Sequence, residues 1–188
     1  GKSVVASLMS KILNKYSTAL APEIFIKSNN NNSGASPHLL PLQTARFGFF
    51  SEGQTADRME LNLQLIKQVS GSDELYVRGL YKNPISFISP TKLFLLSNYT
   101  PPLSAEKSIK DRLRYCFFDQ EFDDKPTGNQ LKKNVKFIEK LHNEYLDEVF
   151  SWILQGSIKY FKINKITPPK STIERTNKLL HAEDSIAT

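Results

Sequence analysis

Apolar residues Val4, Val5, Leu8, Met9, Ile12, Leu13 and Tyr16 recur at a period of about 3.6, which predicts an amphipathic helix over residues 3–16. Residues 24–26, Ile-Phe-Ile, read as a short strand, and the polar run from Asn29 to Gly34 as a loop. One or two helical turns are expected over 37–42. The mostly apolar run 46–51 predicts a strand buried on both faces. Residues 59–69 carry apolar side chains at a mixed period and read as a helix. Residues 74–78 and 85–88 flank Tyr81-Lys82-Asn83-Pro84 and predict two strands joined by a loop. Leu93-Phe94-Leu95-Leu96 marks another buried strand within 92–97, stopped by Pro101-Pro102. A short helix is expected over 105–112 and a further strand over 113–118. Leu131, Val135, Ile138, Leu141, Tyr145, Val149 and Trp152 then share one helical face opposite Lys132, Lys136, Glu139, Lys140, Asn143, Glu144 and Asp147. That predicts one long helix over 131–154, closed by Gly156 as a C-terminal glycine.

Buried strands alternating with helices argue an α/β fold with a mainly parallel sheet, followed by helices. Asp123-Asp124-Lys125-Pro126-Thr127-Gly128 is the sharpest boundary, so residues 1–122 are expected to form the core and 123–188 a helical segment. The chain has 188 residues, enough for one domain with an appendage. No apolar run approaches the roughly 20 residues of a membrane span. The single cysteine, Cys116, excludes an internal disulfide and suits a reducing, cytoplasmic setting. His38, His142 and His181 lack metal-ligand spacing. Lys and Arg number 25 against 19 Asp and Glu, a net charge of +6 that favours a polyanionic partner. The opening Gly1-Lys2-Ser3 without an initiator Met, and the close at Ala187-Thr188 without a helix stop, are expected of a piece of a longer chain.

Gly1-Lys2-Ser3 directly before an amphipathic helix has the form of the second half of a P-loop. In that chemistry backbone N–H groups and the helix N-terminus cradle phosphate oxygens, the lysine reaches the β/γ-phosphates and the serine holds Mg²⁺. On three residues alone a chance match is the stronger reading; the helix that follows in phase shifts the balance. A P-loop ATPase also needs an acid where a neighbouring strand ends, and Glu52 follows the run 46–51. It needs a polar side chain near the γ-phosphate on another strand, and Asn98 follows Leu93-Phe94-Leu95-Leu96-Ser97. It needs an arginine for transition-state charge, and Arg112 and Arg114 come next. Each has an ordinary alternative: a solvated glutamate, a turn asparagine, arginines paired with Asp111 or Asp119. Their order along the chain is what argues against all four being ordinary.

With these residues the chain resembles the superfamily 3 helicase domain of viral and phage or plasmid primase–helicases, the poxvirus-type group in particular. The resemblance runs from Gly1 to about Phe122. It is carried by Arg46-Phe47 through Glu52, Lys67, Ser70-Gly71-Ser72-Asp73, Arg78, Leu80-Tyr81, Asn98, Pro102 and Arg112-Leu113. It implies an AAA+-like core with a five-stranded, mostly parallel sheet, working as a homo-oligomeric ring, a hexamer, with ATP and Mg²⁺ at subunit interfaces. Gly1, Lys2 and Ser3 match the end of the Walker A loop, Ser3 and Glu52 the metal site, Glu52 the Walker B acid and Asn98 the sensor. Arg112 matches the arginine finger, with Arg114 as second choice. Lys67, Gly71, Asp73 and Arg78 match the motif leading into a DNA-contacting hairpin, with Tyr81, Lys82 and Asn83 at or near its tip, where a cation and a stacking aromatic suit single-stranded DNA. A primase region would lie elsewhere in the parent chain, and no membrane is involved. The chain departs from the pattern at Ser51, where a second acid is common, at Ser70 and Ser72, and at Lys110-Asp111.

The implied function is an ATP-dependent DNA helicase motor of viral or phage replication. Two alternatives stay open: an ATPase remodeller or loader of the same nucleotide-site class that unwinds nothing, and a non-enzymatic nucleic-acid-binding segment. The latter would use the stretch Lys159, Lys162, Lys165, Lys170, Arg175 and Lys178, opposed only by Glu174.

Overall fold

A computed structural model describes residues 1–27, 35–51, 61–98 and 107–184. They divide into two compact units: Leu13–Leu113 with Asn177–Thr188, and Gly1–Ile12 with Arg114–Thr176. The fold class is mixed α/β, with parallel strands in the main sheet and helices towards the C-terminus.

In the larger unit the main sheet holds β1 (Ser17–Ala19), β2 (Phe47–Ser51) and β5 (Lys92–Leu96). β2 is central and pairs in parallel with both neighbours, Ser17 with Phe47 on one side and Ser51 with Leu96 on the other. Among the described residues this sheet has three strands, where five were expected. Residues 14–16, where the sequence pattern extends the first helix, form a 3₁₀ turn just ahead of β1, because α1 (Lys2–Leu13) stops at Leu13 and Asn14 turns the chain with φ of 46°. Asparagine tolerates that left-handed conformation and commonly ends helices. The strand expected over 24–26 is absent. Pro22 opens a 3₁₀ turn over Pro22–Phe25 instead, and Ile26 makes one bridge to Leu61. What the pattern registered there is burial: Phe25 is wholly buried and stacks on Phe50, centroids 4.6 Å apart.

α2 (Leu63–Ser70) starts at an N-cap, Asn62, whose side chain accepts from Leu65 N–H at 3.1 Å. Its buried Val69 joins Leu20, Phe25, Leu42, Phe50, Leu75 and Val77 in the core. Leu75 and Val77 come from β3 (Glu74–Arg78), which pairs antiparallel with β4 (Pro84–Ile88). The run Pro37–Gln43 is 3₁₀-helical. Its C-terminal carbonyls are taken up by a buried polar pair: Ser89 Oγ donates to Leu42 O at 3.2 Å, and Thr91 Oγ1 to Ala45 O at 2.9 Å. α3 (Lys107–Lys110) anchors the end of this unit through the wholly buried Ile109.

The second unit is helical. The strand expected over 113–118 has the alternation of a strand and no partner strand among the described residues. The hydroxyl of Thr176, on α6 (Lys170–Asp184), accepts from Tyr115 N–H at 3.2 Å, and the Arg175 guanidinium lies 3.6 Å from the Phe117 ring centre. Arg175 also forms a forked ion pair with Asp119, one arm at 3.0 Å. Side chains from a helix thus do what a neighbouring strand would have done. β6 (Phe122–Asp123) and β7 (Leu131–Lys132) bracket the turn through Gly128. The single helix expected over 131–154 is two. α4 (Val135–Asn143) is capped by Asn134, and α5 (Leu146–Ile163) restarts after Glu144-Tyr145 and runs through Gly156. A helical glycine costs roughly 1 kcal/mol against alanine, which an 18-residue helix tolerates. Asn164, at φ of 50°, ends α5 in its place.

Candidate functional site

Gly1-Lys2-Ser3 forms the entry to α1, and Val5 N–H donates to Gly1 O at 3.3 Å. The first turn carries no acidic residue, so the positive end of the helix dipole has no anion of its own there. Lys2 is half-buried and Ser3 exposed. A methyl group on Gly1 would come within 2.9 Å of the Phe118 ring, so that ring lies against the glycine. Further along α1, Lys11 Nζ donates to His142 O at 2.5 Å, and Ser7 Oγ and His142 Nε2 share a hydrogen bond of 3.1 Å. The middle and last turn of α1 are therefore joined to the end of α4 within one unit. Arg114, exposed, opens the later stretch of the same unit.

The other candidates lie in the larger unit. Parallel pairing brings the C-terminal ends of β2 and β5 to one edge of the sheet, with Ser51 beside Leu96. Open α/β sheets hold ligands at that edge. Asn98, exposed, stands two residues beyond Leu96 there. Glu52 follows Ser51 in sequence and lies outside the described residues. Arg112 follows α3, and its guanidinium donates to Ser108 O at 2.6 Å, so the side chain closes the C-terminal end of that helix. Packing behind the β2 edge is tight. A Cβ on Gly48 would meet Thr91 Cγ2 at 2.8 Å and Leu20 Cδ1 at 3.0 Å, so only glycine lets β1, β2 and the Thr91 turn approach as they do.

Lys67, Arg78, Tyr81 and Lys82 belong to α2 and the β3–β4 hairpin of this unit. Gly71 closes α2 so tightly that a Cβ would sit 2.8 Å from Lys67 O. One face of the hairpin is buried through Leu75 and Val77; Tyr76 and Arg78 point the other way, into solvent. The pairing ends at Arg78 and Pro84, and residues 79–83 form the tip. Gly79 is buried against Leu40, and Lys82 N–H donates to Gly79 O at 3.3 Å. Between them Tyr81 holds φ of 56° and is fully exposed, at 105%. A bulky residue in the left-handed region costs roughly 1–2 kcal/mol, and here no packing offsets it. Tyr76 is the residue that motif reasoning missed: it shares the outward face with Arg78 and is 73% exposed, and the period-two alternation of β3 is the signal that could have found it.

Among the described residues, Asp119 is the carboxylate whose ionisation the structure shifts clearly. The Arg175 hydrogen bond holds its pKa below the ordinary carboxylate value. That pair braces α6 against the stretch after Arg114 and belongs to the frame of its unit. Among the described residues, no group of three or more His, Cys, Asp or Glu side chains could hold a metal, and no helix is long and apolar enough to cross a membrane.

No family model matches the chain. It is 30% identical over 106 residues to the protein named "Putative helicase L207/L206" of Acanthamoeba polyphaga mimivirus; the match takes in 56% of this chain and 11% of that protein. The relationship is to a viral protein with a helicase name, and this chain spans about a ninth of its length.

Proposed function

We propose that this chain is part of an ATP-driven motor that moves on single-stranded DNA, of the superfamily 3, AAA+-like type, in a viral or phage replication protein. The hairpin tip is the observation that carries the reading. Tyr81 is held in a costly backbone conformation with its ring wholly in solvent, beside Lys82 and on the ribbon that carries Arg78 and Tyr76. The closed register sets the turn, but glycine or asparagine would fill it at lower cost, and a strained, solvent-facing tyrosine in its place is a sign of a ligand contact. An aromatic ring and two cations on one projecting ribbon match what a single strand offers, a base face and phosphates. The helicase-named relative supports the same reading.

In this reading Gly1, Lys2 and Ser3 hold the ATP phosphates at the start of α1, where the helix end favours an anion. Ser3 and Glu52 would hold a Mg²⁺ ion beside the phosphates, since that ion usually relies on one or two carboxylates and substrate phosphates. Glu52 orients the attacking water, Asn98 senses the γ-phosphate, and Arg112 or Arg114 meets the nucleotide of a neighbouring subunit in a hexameric ring. The bound ion would supply charge neutralisation at the phosphates; the protein supplies position.

ATP turnover by the full-length protein, with and without single-stranded DNA and beside Lys2→Ala, tests the reading. DNA-stimulated turnover that Lys2→Ala abolishes is expected. Turnover indifferent to Lys2, or none, overturns the nucleotide site. A second comparison separates a motor from a remodeller: Lys82→Ala should lose strand displacement and keep basal turnover, whereas a remodeller would not notice it.

A further inference from the structure

The two faces of β3 differ in kind. Leu75 and Val77 are buried in the core, whereas Glu74, Tyr76 and Arg78 stand on the outward face. The register sets Ile88 opposite Glu74, Ser86 opposite Tyr76 and Pro84 opposite Arg78. An aromatic residue on such a ribbon gains by packing on a large side chain directly across the ladder. Tyr76 faces a serine instead, whose Oγ donates to Glu74 Oε2 at 3.5 Å, and the tyrosine is 73% exposed. Strand propensity asks for a β-branched or aromatic residue there, and threonine or valine would satisfy it without setting a ring in water. Charge is sorted along the same face. Glu74 stands at the base, Arg78 closes the ladder, and Lys82 follows Tyr81 in the tip. An anionic strand is therefore drawn to the tip half and repelled from the base. Within that half Tyr76 and Arg78 lie about 6.6 Å apart along β3, and Tyr81 comes three residues later. Outward along the ribbon the order is ring, cation, ring, cation.

We infer that Tyr76 is a second base-stacking residue, so that the outward face of β3 continues the tip into a track for an unpaired strand. One base lies on Tyr81 and another on Tyr76, and Arg78 meets the phosphate between them. The inference rests on the reading of the hairpin as the single-strand contact and adds to it a residue outside the tip and a selectivity. A base can lie on a side-chain ring only after leaving its own stack, so Tyr76 favours single-stranded DNA over duplex. Every base has a ring face, so the contact is indifferent to sequence. Glu74 marks where the track stops.

Fluorescence anisotropy tests it, with the full-length protein and a labelled oligothymidylate of about 16 nucleotides, at salt from about 50 to 200 mM. Tyr76→Thr keeps strand propensity and removes the ring. It should weaken binding about fivefold or more and leave the slope of log Kd against log salt as in the wild type, because no cation is lost. Tyr76→Phe keeps the ring and should bind within about twofold of wild type. Arg78→Gln should weaken binding and flatten the slope by about 0.7. Binding to a blunt duplex of equal length should be the same for Tyr76→Thr and wild type. Tyr76 faces solvent, so thermal melts should agree; if Tyr76→Thr melts early, Tyr76→Val takes its place. Tyr81→Gly, measured alongside, keeps the two readings apart. If Tyr81→Gly weakens binding and Tyr76→Thr does not, the tip stands and the inference about Tyr76 is overturned. If neither changes binding, or the full-length protein binds no oligothymidylate, both are overturned. Tyr76→Phe as weak as Tyr76→Thr would assign the contact to the hydroxyl and overturn stacking.

Discussion

Gly48→Ala should be strongly destabilising for a single methyl group. The added Cβ would stand 2.8 Å from Thr91 Cγ2 and 3.0 Å from Leu20 Cδ1, inside the buried centre of β2. Leu20 has rotamers to spare, but Thr91 does not. Its hydroxyl donates to Ala45 O at 2.9 Å and lies 3.3 Å from Leu42 O, and rotating the methyl away breaks that contact. Overpacking of this kind costs about 1–3 kcal/mol, and a lost buried hydrogen bond adds about 1 kcal/mol. Replacing glycine returns roughly 0.5–1 kcal/mol of chain entropy. The net loss is about 2 kcal/mol, a fall of roughly 4–8 °C in Tm for a chain of this size. Urea unfolding followed by far-UV circular dichroism measures it. The decisive variant is Gly48→Ala/Thr91→Ser, which removes the clashing methyl and keeps the hydroxyl. Thr91→Ser alone should cost about 0.8 kcal/mol, one buried methyl. In the Gly48→Ala background it should instead recover more than half of the loss. A Gly48→Ala protein within 0.5 kcal/mol of wild type, or a double variant in which the two losses simply add, would show that Thr91 Cγ2 does not limit the space at Gly48.

Tyr81→Gly should relieve left-handed strain and raise stability by up to about 1 kcal/mol, while weakening single-stranded DNA binding by the full-length protein; a binding curve unchanged by the substitution would remove Tyr81 from the interface. The Asp119 carboxyl, held low by its hydrogen bond to Arg175, should titrate below its ordinary value of 3.8. A group whose pKa is lower in the folded state lends stability above its unfolded pKa and loses it as pH falls through the folded one. The pair therefore holds from near neutrality down to the ordinary carboxylate range and lapses in stronger acid. Carbon-13 shifts of Asp119 followed against pH should show the depressed titration, and Arg175→Gln should return it upward; identical titrations in both proteins would contradict the ion pair. Asn134→Ala removes the hydrogen bond at 3.0 Å that caps α4 and should cost about 1 kcal/mol, read from thermal melts, whereas Asn134→Ser or Asn134→Asp should be nearly silent.

What the sequence by itself determined is local. The β3–β4 hairpin, β2, β5, the 3₁₀ turns at residues 37–43 and the helix after Gly1-Lys2-Ser3 are legible because period, caps and prolines act within a few residues of one another. The position of Asn98 two residues past a strand is legible for the same reason. What only the tertiary structure decided depends on partners distant in the chain. Residues 113–118 look like a strand, yet a strand exists only where another offers hydrogen bonds, and here Thr176 and Arg175 take up Tyr115 and Phe117 instead. Residues 24–26 look like a strand because they are apolar, and that pattern reports burial against Phe50 rather than pairing. The break at Glu144-Tyr145 and the survival of α5 through Gly156 turn on how α4 and α5 pack, which no single-helix periodicity contains. The grouping of the first twelve residues with the stretch after Arg114 rests on contacts such as Ser7 with His142, separated by 135 positions. The left-handed turn at Tyr81 is set in the same way: Gly79 is buried against Leu40 and the hairpin register closes at Arg78 and Pro84. Between those constraints the tip has one short path, and it puts the tyrosine ring in water.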